Sequence, residues 1–460
     1  MKHRSTEEPP EAVNQICEVL HTVFIESTGR LSRSSGFCIR RSALSAQAYV
    51  RGLVFGWLGD PQASVSALAR SIAGCGVAVS PQAVQQRFSS GGARLLRGIL
   101  EEMSLHLASG SLPSPASSMG FGFSRIWVRD GSVLSLPRAL AQRWPGCGNS
   151  TETGASLKLS VVWDWLSGEA PRLHLHSGRE HDARVGLGKH PQEPPPAAGE
   201  MHLFDLGYFC LQAMSDLHQN GAFFCCRYKS GTSVRRLEDG MEDTFSSSMA
   251  QRLSKLSTEI TQFDWQVEIG QRHPLPVRLI GRRVPPQIAL QRRENLLHRS
   301  RRKGQPAGAE RLALCDWNLF VTNAPAERLH AEAVPRLYSA RWQIERLFRL
   351  WKENLRIDEW RTKSPQRIEC EIYAKLIGAL LAQRICAWAA WVDPARSILQ
   401  LTQALQAWAL SLGTHLHRKT QLKRVLMDFK KTTNTGCKLQ RRRNKPATFQ
   451  ILIQEQESLA

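Results

Sequence analysis

The sequence has no CxxC pair and no Cys/His group at zinc-ligand spacing, although it contains 11 cysteines. They are scattered singly apart from the adjacent pair Cys225-Cys226. This distribution argues against a zinc finger and a disulfide-linked secreted domain, and it indicates reduced thiols in a cytosol. The N-terminal "MKHRSTEEPPEAVNQ" lacks the apolar segment of a signal peptide, and no run reaches the ~18 apolar residues of a membrane span. We therefore expect a cytoplasmic protein with no membrane partner.

Acidic residues are scarce relative to basic ones. The chain has 61 Lys+Arg against 40 Asp+Glu, a net charge of +21 at pH 7. Such an excess favours a polyanionic partner, above all nucleic acid. A basic protein from a GC-rich genome would show the same excess, so charge alone leaves the partner open. The hydrophobic content (42%) is that of a folded protein, and 460 residues suffice for two or more domains.

The first hundred residues have mostly helical patterns. Residues 64–88 contain two short helical patterns around a Gly-rich break, and Ser80-Pro81 is typical of an N-cap followed by the first helical position. This is the size of a helix-turn-helix, but a helical hairpin that only packs would look the same. The stretch "SGSLPSPASSMGFG" (109–122) predicts a linker and a domain boundary.

Beyond this linker the apolar period changes to two, which predicts strands. Residues 126–130 form one strand, turn at Gly131-Ser132 and continue as a second. Further strands are predicted at 156–165 and 171–177, joined by a turn at Ser167-Gly168. A short strand within 202–209 is predicted to end at Asp205, and a helix and another strand, 222–229, follow it. The pattern predicts a mixed α/β sheet with Asp130 and Asp205 on neighbouring strands.

Residues 230–335 interrupt this pattern with strand-like pieces and the very basic run "RRENLLHRSRRKGQPAGAER". They look like a β-rich insertion. Residues 396–460 are predicted helical and end in the basic run "KLQRRRNKP".

The segment "YSARWQIERLFRLWKENLR" (338–356) has the period of one amphipathic helix. Ile344, Leu347 and Trp351 fall on an apolar back. The opposite stripe, about 60° wide on a helical wheel, carries four polar residues: Tyr338, Arg341, Glu345 and Lys352. An ordinary solvated face with an (i, i+4) ion pair would account for the stripe equally well.

The spacing Y-x2-R-x3-E-x6-K, downstream of two strand aspartates, resembles the signature of DDE transposases of the insertion-sequence-4 family. "VRDGS" is similar to the family's first-aspartate strand and "FDLGYF" to its second, and "WNLFVTNAP" resembles the strand that closes an inserted β-domain. The resemblance covers about residues 124–390. It implies an RNase H-like core whose catalytic carboxylates are Asp130, Asp205 and Glu345.

The same resemblance implies how those residues act. The three carboxylates would hold two Mg²⁺ ions, with Mn²⁺ as an alternative, and no organic cofactor is required. Tyr338, Arg341 and Lys352 would contact DNA phosphates. Trp317 matches a residue that holds a flipped base, although a buried aromatic on an insertion strand is an equal alternative.

The predicted domains are a helical DNA-binding region (1–120), a first core part (121–229), a β-rich insertion (230–330), a second core part (331–395) and a helical C-terminal region (396–460). The implied activity is cut-and-paste transposition by a bacterial, nucleoid-associated homodimer in a synaptic complex with terminal inverted repeats and target DNA. Two alternatives stay open at this point: an RNase H-like nuclease without strand transfer, and an inactive derivative that only binds DNA.

Overall fold

The computed structural model describes residues 11–39, 42–108, 122–147, 154–166, 171–180, 195–237, 248–390 and 396–439. The chain divides into two compact units. The first comprises Met1–Ser117, Gly131–Glu180 and Gln343–Ala460, and the second comprises Ser118–Asp130 and His181–Trp342.

Helices dominate both ends of the chain and strands its middle, as the change of period predicts. The helices are α1 (Glu11–His21), α2 (Thr28–Ser34), α3 (Ala46–Gly59), α4 (Val65–Gly74), α5 (Pro81–Arg87), α6 (Ser90–Ala108), α7 (Leu211–Gln219), α8 (Met249–Ser254), α9 (Pro286–Arg302), α10 (Ala309–Ala313), α11 (Val334–Ser339), α12 (Trp342–Leu355), α13 (Pro365–Ala390), α14 (Ile398–His415) and α15 (Lys419–Thr433). A π-helical segment, Thr22–Ser27, joins α1 to α2. The strands are β1 (Ile126–Leu136), β2 (Ala155–Asp164), β3 (Arg172–Ser177), β4 (Met201–Leu203), β5 (Phe223–Arg227), β6 (Val234–Arg236), β7 (Gln262–Ile269), β8 (Leu275–Arg283) and β9 (Trp317–Thr322).

The first unit is built around α13, whose residues from Ile368 to Ala389 are almost all buried. By length and composition this helix could cross a membrane, but 94% of its apolar window is buried inside the protein. It therefore serves as a core helix, packed against α3, α6 and α14. In the same unit β2 and β3 pair as an antiparallel ribbon.

Two glycines set the approach of α3 to α4. A Cβ built on Gly52 would lie 2.2 Å from the Cγ1 atom of Ile72, and one on Gly56 would lie 2.9 Å from Leu68. Only glycine leaves room for this close packing, so the helix accepts two residues of low helix propensity.

The second unit contains a mixed sheet in the order β1-β4-β5-β9-β8-β7-β6. The β1-β4 and β4-β5 pairs are parallel, and the pairs that involve β6 to β9 are antiparallel. One face covers an apolar core that includes Phe204, Phe224 and Val267. Strands from the region 230–330 thus continue the sheet that carries β4 and β5, and the basic run of that region forms most of α9. All 11 cysteines are free thiols.

Two local predictions are wrong. No turn forms at Gly131-Ser132, because β1 runs on as one strand to Leu136. Its second half is held by hydrogen bonds within the first unit: the backbone oxygens of Val133 and Ser135 accept from the side chains of Lys352 and Trp360, respectively. The turn predicted at Ser167-Gly168 lies outside the described residues.

The second error concerns residues 338–356, which do not form one helix. α11 ends at Ser339 and α12 begins at Trp342. Between them the N–H groups of Ala340 and Arg341 bond to carbonyls three residues back, at 3.0 and 3.1 Å, which is the tighter 3₁₀ pattern. The single polar stripe predicted from a straight helical wheel is therefore replaced by residues on two helices and the turn between them.

Candidate active site

Asp130 and Asp205 occupy matching positions on neighbouring parallel strands. The last ladder pair between β1 and β4 joins Val128 to Leu203. Asp130 lies two residues beyond Val128, and Asp205 lies two residues beyond Leu203. The parallel β1–β4 ladder stops at this pair, so Asp130, inside β1, and Asp205, just past the end of β4, follow it at equivalent positions on neighbouring strands, as the sequence predicts.

Asp130 is paired with a cation. The Nη1 atom of Arg341 donates to its Oδ2 atom at 3.0 Å, and the two side chains are only 10% and 16% exposed. Arg341 comes from the turn between α11 and α12, so this ion pair joins that turn to the edge of the sheet. Its charge neutralises a carboxylate that is held largely away from water.

Asp205 begins a short 3₁₀ turn, Leu206–Tyr208, directly after β4. Its Oδ1 atom accepts the backbone N–H of Gly207 at 2.8 Å. This local bond is the ordinary N-capping arrangement of an aspartate. It fixes the carboxylate at the mouth of a pocket that opens beside the strand end.

The pocket has a volume of about 370 Å³ and lies within the second unit. Three guanidinium groups line it together with Asp205: those of Arg227, Arg292 and Arg341. Asn318 connects two of them, because its Oδ1 atom accepts from Arg227 at 3.0 Å and from Arg292 at 2.9 Å. A cavity with three cations and aromatic walls suits a planar, anionic ligand.

Burial and neighbouring positive charges both lower the pKa of one of these guanidinium groups. Burial lowers the pKa of the Arg227 guanidinium, and the positive charges of Arg292 and Arg341 lower it further, with Tyr338 opposing them. A bound anion would relieve this repulsion. The pocket is therefore electrostatically prepared for negative charge.

The two aromatic residues predicted to contact DNA, Tyr338 and Trp317, both line this pocket. The ring of Tyr338 packs edge-on against Phe320 with centroids 5.3 Å apart, and burial raises the pKa of its hydroxyl to about 12. Trp317 is only 4% exposed and lies 5.1 Å from the ring of Phe263, inside the apolar core. For Trp317 these contacts match the buried-aromatic alternative that the sequence left open.

Glu345 and Lys352 belong to the first unit. Both are half-buried on α12, whose residues Ile344, Leu347 and Trp351 are buried as the amphipathic pattern predicts. Lys352 donates from Nζ to the backbone oxygen of Val133 at 3.2 Å and lies 4.0 Å from a carboxylate oxygen of Asp358.

The carboxylates at the strand ends have the chemistry for a hard divalent cation. Asp130 and Asp205 offer oxygen ligands at neighbouring positions, which is what Mg²⁺ or Mn²⁺ prefers. No group of three or more His, Cys, Asp and Glu side chains is gathered into one metal site within the described parts of the chain. Asp130 and Asp205, both in the second unit, are two of the three predicted ligands.

Three pocket residues escaped sequence reasoning. Arg227 ends the buried strand β5, where a charge is unusual, and Arg292 is one of many arginines in a basic run. Trp342 follows Arg341 and is 56% exposed, with the Arg341 guanidinium 5.6 Å from its ring. The one sequence feature that could have identified a pocket residue was a charge at the end of an apolar strand, and it applies only to Arg227.

Residues 122–381 match the transposase DDE domain family, a span of more than half the chain that contains all three predicted carboxylates. The chain belongs to this family. The predicted class, a DDE transposase with a mixed α/β, RNase H-like domain, is thereby confirmed, and so is the predicted enzyme class. Membership of this family also carries a general dependence on divalent metal ions.

The chain is similar to several transposases of bacterial insertion sequences. It is 26% identical to the transposase for insertion sequence element IS231E of Bacillus thuringiensis subsp. finitimus, over 66% of this chain and 65% of that protein. It is 24% identical to the transposase for IS231B of B. thuringiensis subsp. berliner, over 80% of this chain and 78% of that protein. The identity to the transposase for IS1151 of Clostridium perfringens is 23%, over 78% of each chain. The chain therefore spans just under two thirds of the first relative and over three quarters of the others.

Proposed function

We propose that this protein is a DNA transposase that moves an insertion sequence by a Mg²⁺-dependent cut-and-paste reaction. It would bind terminal inverted repeats, nick the DNA at the ends of the element and join the freed 3′-OH to target DNA. The observation that supports this best is the equivalent position of Asp130 and Asp205, each two residues beyond the last ladder pair of the parallel strands β1 and β4, in a transposase DDE domain.

Asp130, Asp205 and Glu345 are the proposed catalytic and metal-binding residues. Two divalent ions, when bound, would stabilise negative charge on the attacking and leaving oxygens of the phosphate. The protein's own contribution is to position Asp205 through its bond to the Gly207 N–H and to balance the charge of Asp130 with Arg341 while no metal is bound. Water and then the DNA 3′-OH act as nucleophiles, so no protein nucleophile is needed.

The basic residues near these carboxylates would hold the DNA backbone. We propose that Arg341 and Lys352 contact phosphates close to the cleaved strand, and that Tyr338 and Trp317 contribute their rings to the DNA-binding pocket. Arg227 and Arg292, which line the same pocket, add charge for the same purpose.

We further propose a homodimer in a synaptic complex, in the cytoplasm of a bacterium and associated with the nucleoid. The region 1–120 would bind DNA, and the family subgroup would be insertion-sequence-4. The Tyr-Arg-Glu-Lys spacing supports the subgroup, and the net charge of +21 supports the DNA partner.

The test is a cleavage assay with purified protein, Mg²⁺ and linear DNA that carries the ends of the element. Asp130→Asn, Asp205→Asn and Glu345→Gln should each abolish nicking while DNA binding in a gel-shift assay persists. Full nicking by any one variant removes that residue from the catalytic set. Adding a pre-cleaved end and target DNA separates the nuclease alternative, which would cut but never join the two DNAs.

A further inference from the structure

The segment around α4 and α5 has an unusual charge composition. No acidic residue occurs between Asp60 and Glu101, although the whole chain contains 40. The same forty positions contain four arginines. A segment without acidic side chains of its own adds no repulsion toward a polyanion, and the one carboxylate bonded to it, that of Glu359 on Gln62, is itself paired with Arg356.

Two short helices pack together in this segment. Ser64 caps α4 and Ser80 caps α5, each through a 3.2 Å bond from a backbone N–H to the serine hydroxyl. Gly76, with φ of +97°, turns the chain between them, and Arg51 donates to the backbone oxygen of Cys75 at 2.9 Å. The connection of six residues is longer than the usual turn of a helix-turn-helix, but both helices are fixed at their starts and at the turn.

The outer face of α5 is made of glutamine. Val84 is fully buried and anchors the helix. Gln82, Gln85 and Gln86 are exposed and lie within an arc of about 100° on the opposite side. Three equal amides on one face of a seven-residue helix carry no charge, so they add nothing to the long-range attraction of phosphates and act only through directed hydrogen bonds.

Glutamine suits base recognition because its amide offers a donor and an acceptor side by side. Adenine presents the matching pair, N7 and N6–H₂, in the major groove, where an α-helix fits. In two-helix DNA readers the second helix enters the groove while the first crosses the backbone. Arg70, exposed on α4, is placed to meet that backbone.

We propose that Gln82, Gln85 and Gln86 read base edges in the major groove, and that Arg70 contacts a phosphate beside them. The proposal rests on the proposed function for its partner, DNA, and it names the residues that set sequence preference. Arg87 is excluded from this role, since it donates to the Ser42 hydroxyl and the Phe37 carbonyl at 2.6 and 3.2 Å.

The test uses the full-length protein and a pool of DNA duplexes with a randomised centre. The wild type should enrich a motif with adenines at fixed positions. The triple variant Gln82→Ala/Gln85→Ala/Gln86→Ala should lose tenfold or more of the preference for that motif over a scrambled duplex. Its affinity for the scrambled duplex, and the salt dependence of binding, should stay at wild-type values.

Two further variants act as controls. Gln15→Ala removes an exposed glutamine from α1 and should leave the motif unchanged. Arg70→Gln should weaken binding to both duplexes alike and reduce the slope of log K against log salt by about one. Melting curves will establish that each variant is folded. We expect the Gln→Ala variants to fold, because alanine at an exposed helix position has a high helix propensity.

The proposal is overturned if the triple variant enriches the same motif as the wild type with the same preference, or if the wild type enriches none. Failure of the proposed catalytic residues would give a different result from failure of this proposal: Asp130→Asn would still nick DNA, whatever motif the protein selects.

Discussion

Arg341 and Asp130 form an ion pair of 3.0 Å that is largely shielded from solvent. Sequence reasoning assigned the two residues to different tasks, DNA contact and metal binding. In the structure the guanidinium already contacts the Oδ2 atom of the carboxylate that is proposed to bind metal. Arg341 therefore competes with any metal for Asp130 until an anionic ligand, such as a DNA phosphate, draws the guanidinium away.

This competition predicts the behaviour of Arg341→Gln in the absence of DNA. The change removes a positive charge beside a proposed ligand, so half-saturation with Mn²⁺ should need a lower metal concentration than in the wild type. Electron paramagnetic resonance of free Mn²⁺ measures this directly, and Arg346→Gln, an exposed change on α12, is the control. A higher Mn²⁺ requirement in Arg341→Gln would show that the ion pair assists metal binding.

Tyr338 should remain a neutral phenol throughout the range of any activity assay. Burial raises its pKa from 10.0 to about 12, so the folded protein retains the phenolic proton longer than the unfolded chain does. This contribution to stability is complete below pH 10 and is lost as the pH rises through 12. Tyr338→Phe should therefore weaken the fall of the unfolding free energy between pH 10 and 12, measured with urea.

The same substitution should leave the pH dependence of nicking unchanged between pH 6 and 10, because no proton leaves Tyr338 in that interval. Tyr373 has a similarly raised pKa and lies in the first unit, so Tyr373→Phe is a matched control for alkaline stability. An inflection between pH 6 and 10 that is present in the wild-type rate profile and missing from that of Tyr338→Phe would contradict this prediction.

Replacing Gly52 or Gly378 by alanine should change the unfolding free energy in opposite directions. A Cβ at Gly52 would collide with Ile72 at 2.2 Å, whereas one at Gly378 would meet Leu58 at an ordinary 3.6 Å. Gly52→Ala should cost about 1–3 kcal/mol through overpacking. Gly378→Ala should stabilise the protein by roughly 0.5–1 kcal/mol through helix propensity. Urea unfolding measures both, and shifts of the same sign would refute the steric argument.

Lys375 secures the end of the helix that carries Glu345. It forms a buried ion pair with Glu371 and donates to the carbonyls of Arg356 and Glu359 at 2.8 and 3.0 Å. Lys375→Met leaves the Glu371 carboxylate buried and without its cation, which should cost about 3–5 kcal/mol in unfolding free energy. The double variant Lys375→Met/Glu371→Leu should regain much of the lost unfolding free energy. If it does not, the loss comes from the two hydrogen bonds to the carbonyls rather than from the unpaired carboxylate.

The features of this protein that could be predicted from the sequence are those that the local apolar pattern and the order of the strands determine. Alternation placed β2, β3 and β5 within one or two residues, and Asp130 and Asp205 lie at equivalent positions on neighbouring strands because β1 and β4 pair in parallel. The break after Ser339 was not predictable, since Arg341 leaves the helical wheel to meet a carboxylate 211 positions earlier in the chain. The pocket cations escaped for the same reason: Arg227 and Arg292 converge on Asn318 only after β5, β9 and α9 have packed.

Lys352 has hydrogen-bonding capacity for two roles, and its substitution separates them. One of its three N–H donors reaches the Val133 carbonyl at 3.2 Å, which leaves donors for a DNA phosphate. Lys352→Gln should reduce the slope of log K against log salt for DNA binding by about one. It should lower the unfolding free energy by only about 0.5–1.5 kcal/mol, the value of one hydrogen bond. Lys419→Gln removes an exposed lysine that pairs with Glu18, and its slope should match the wild type. If Lys352→Gln also keeps the wild-type slope, the lysine serves only to hold α12 against β1 within the first unit.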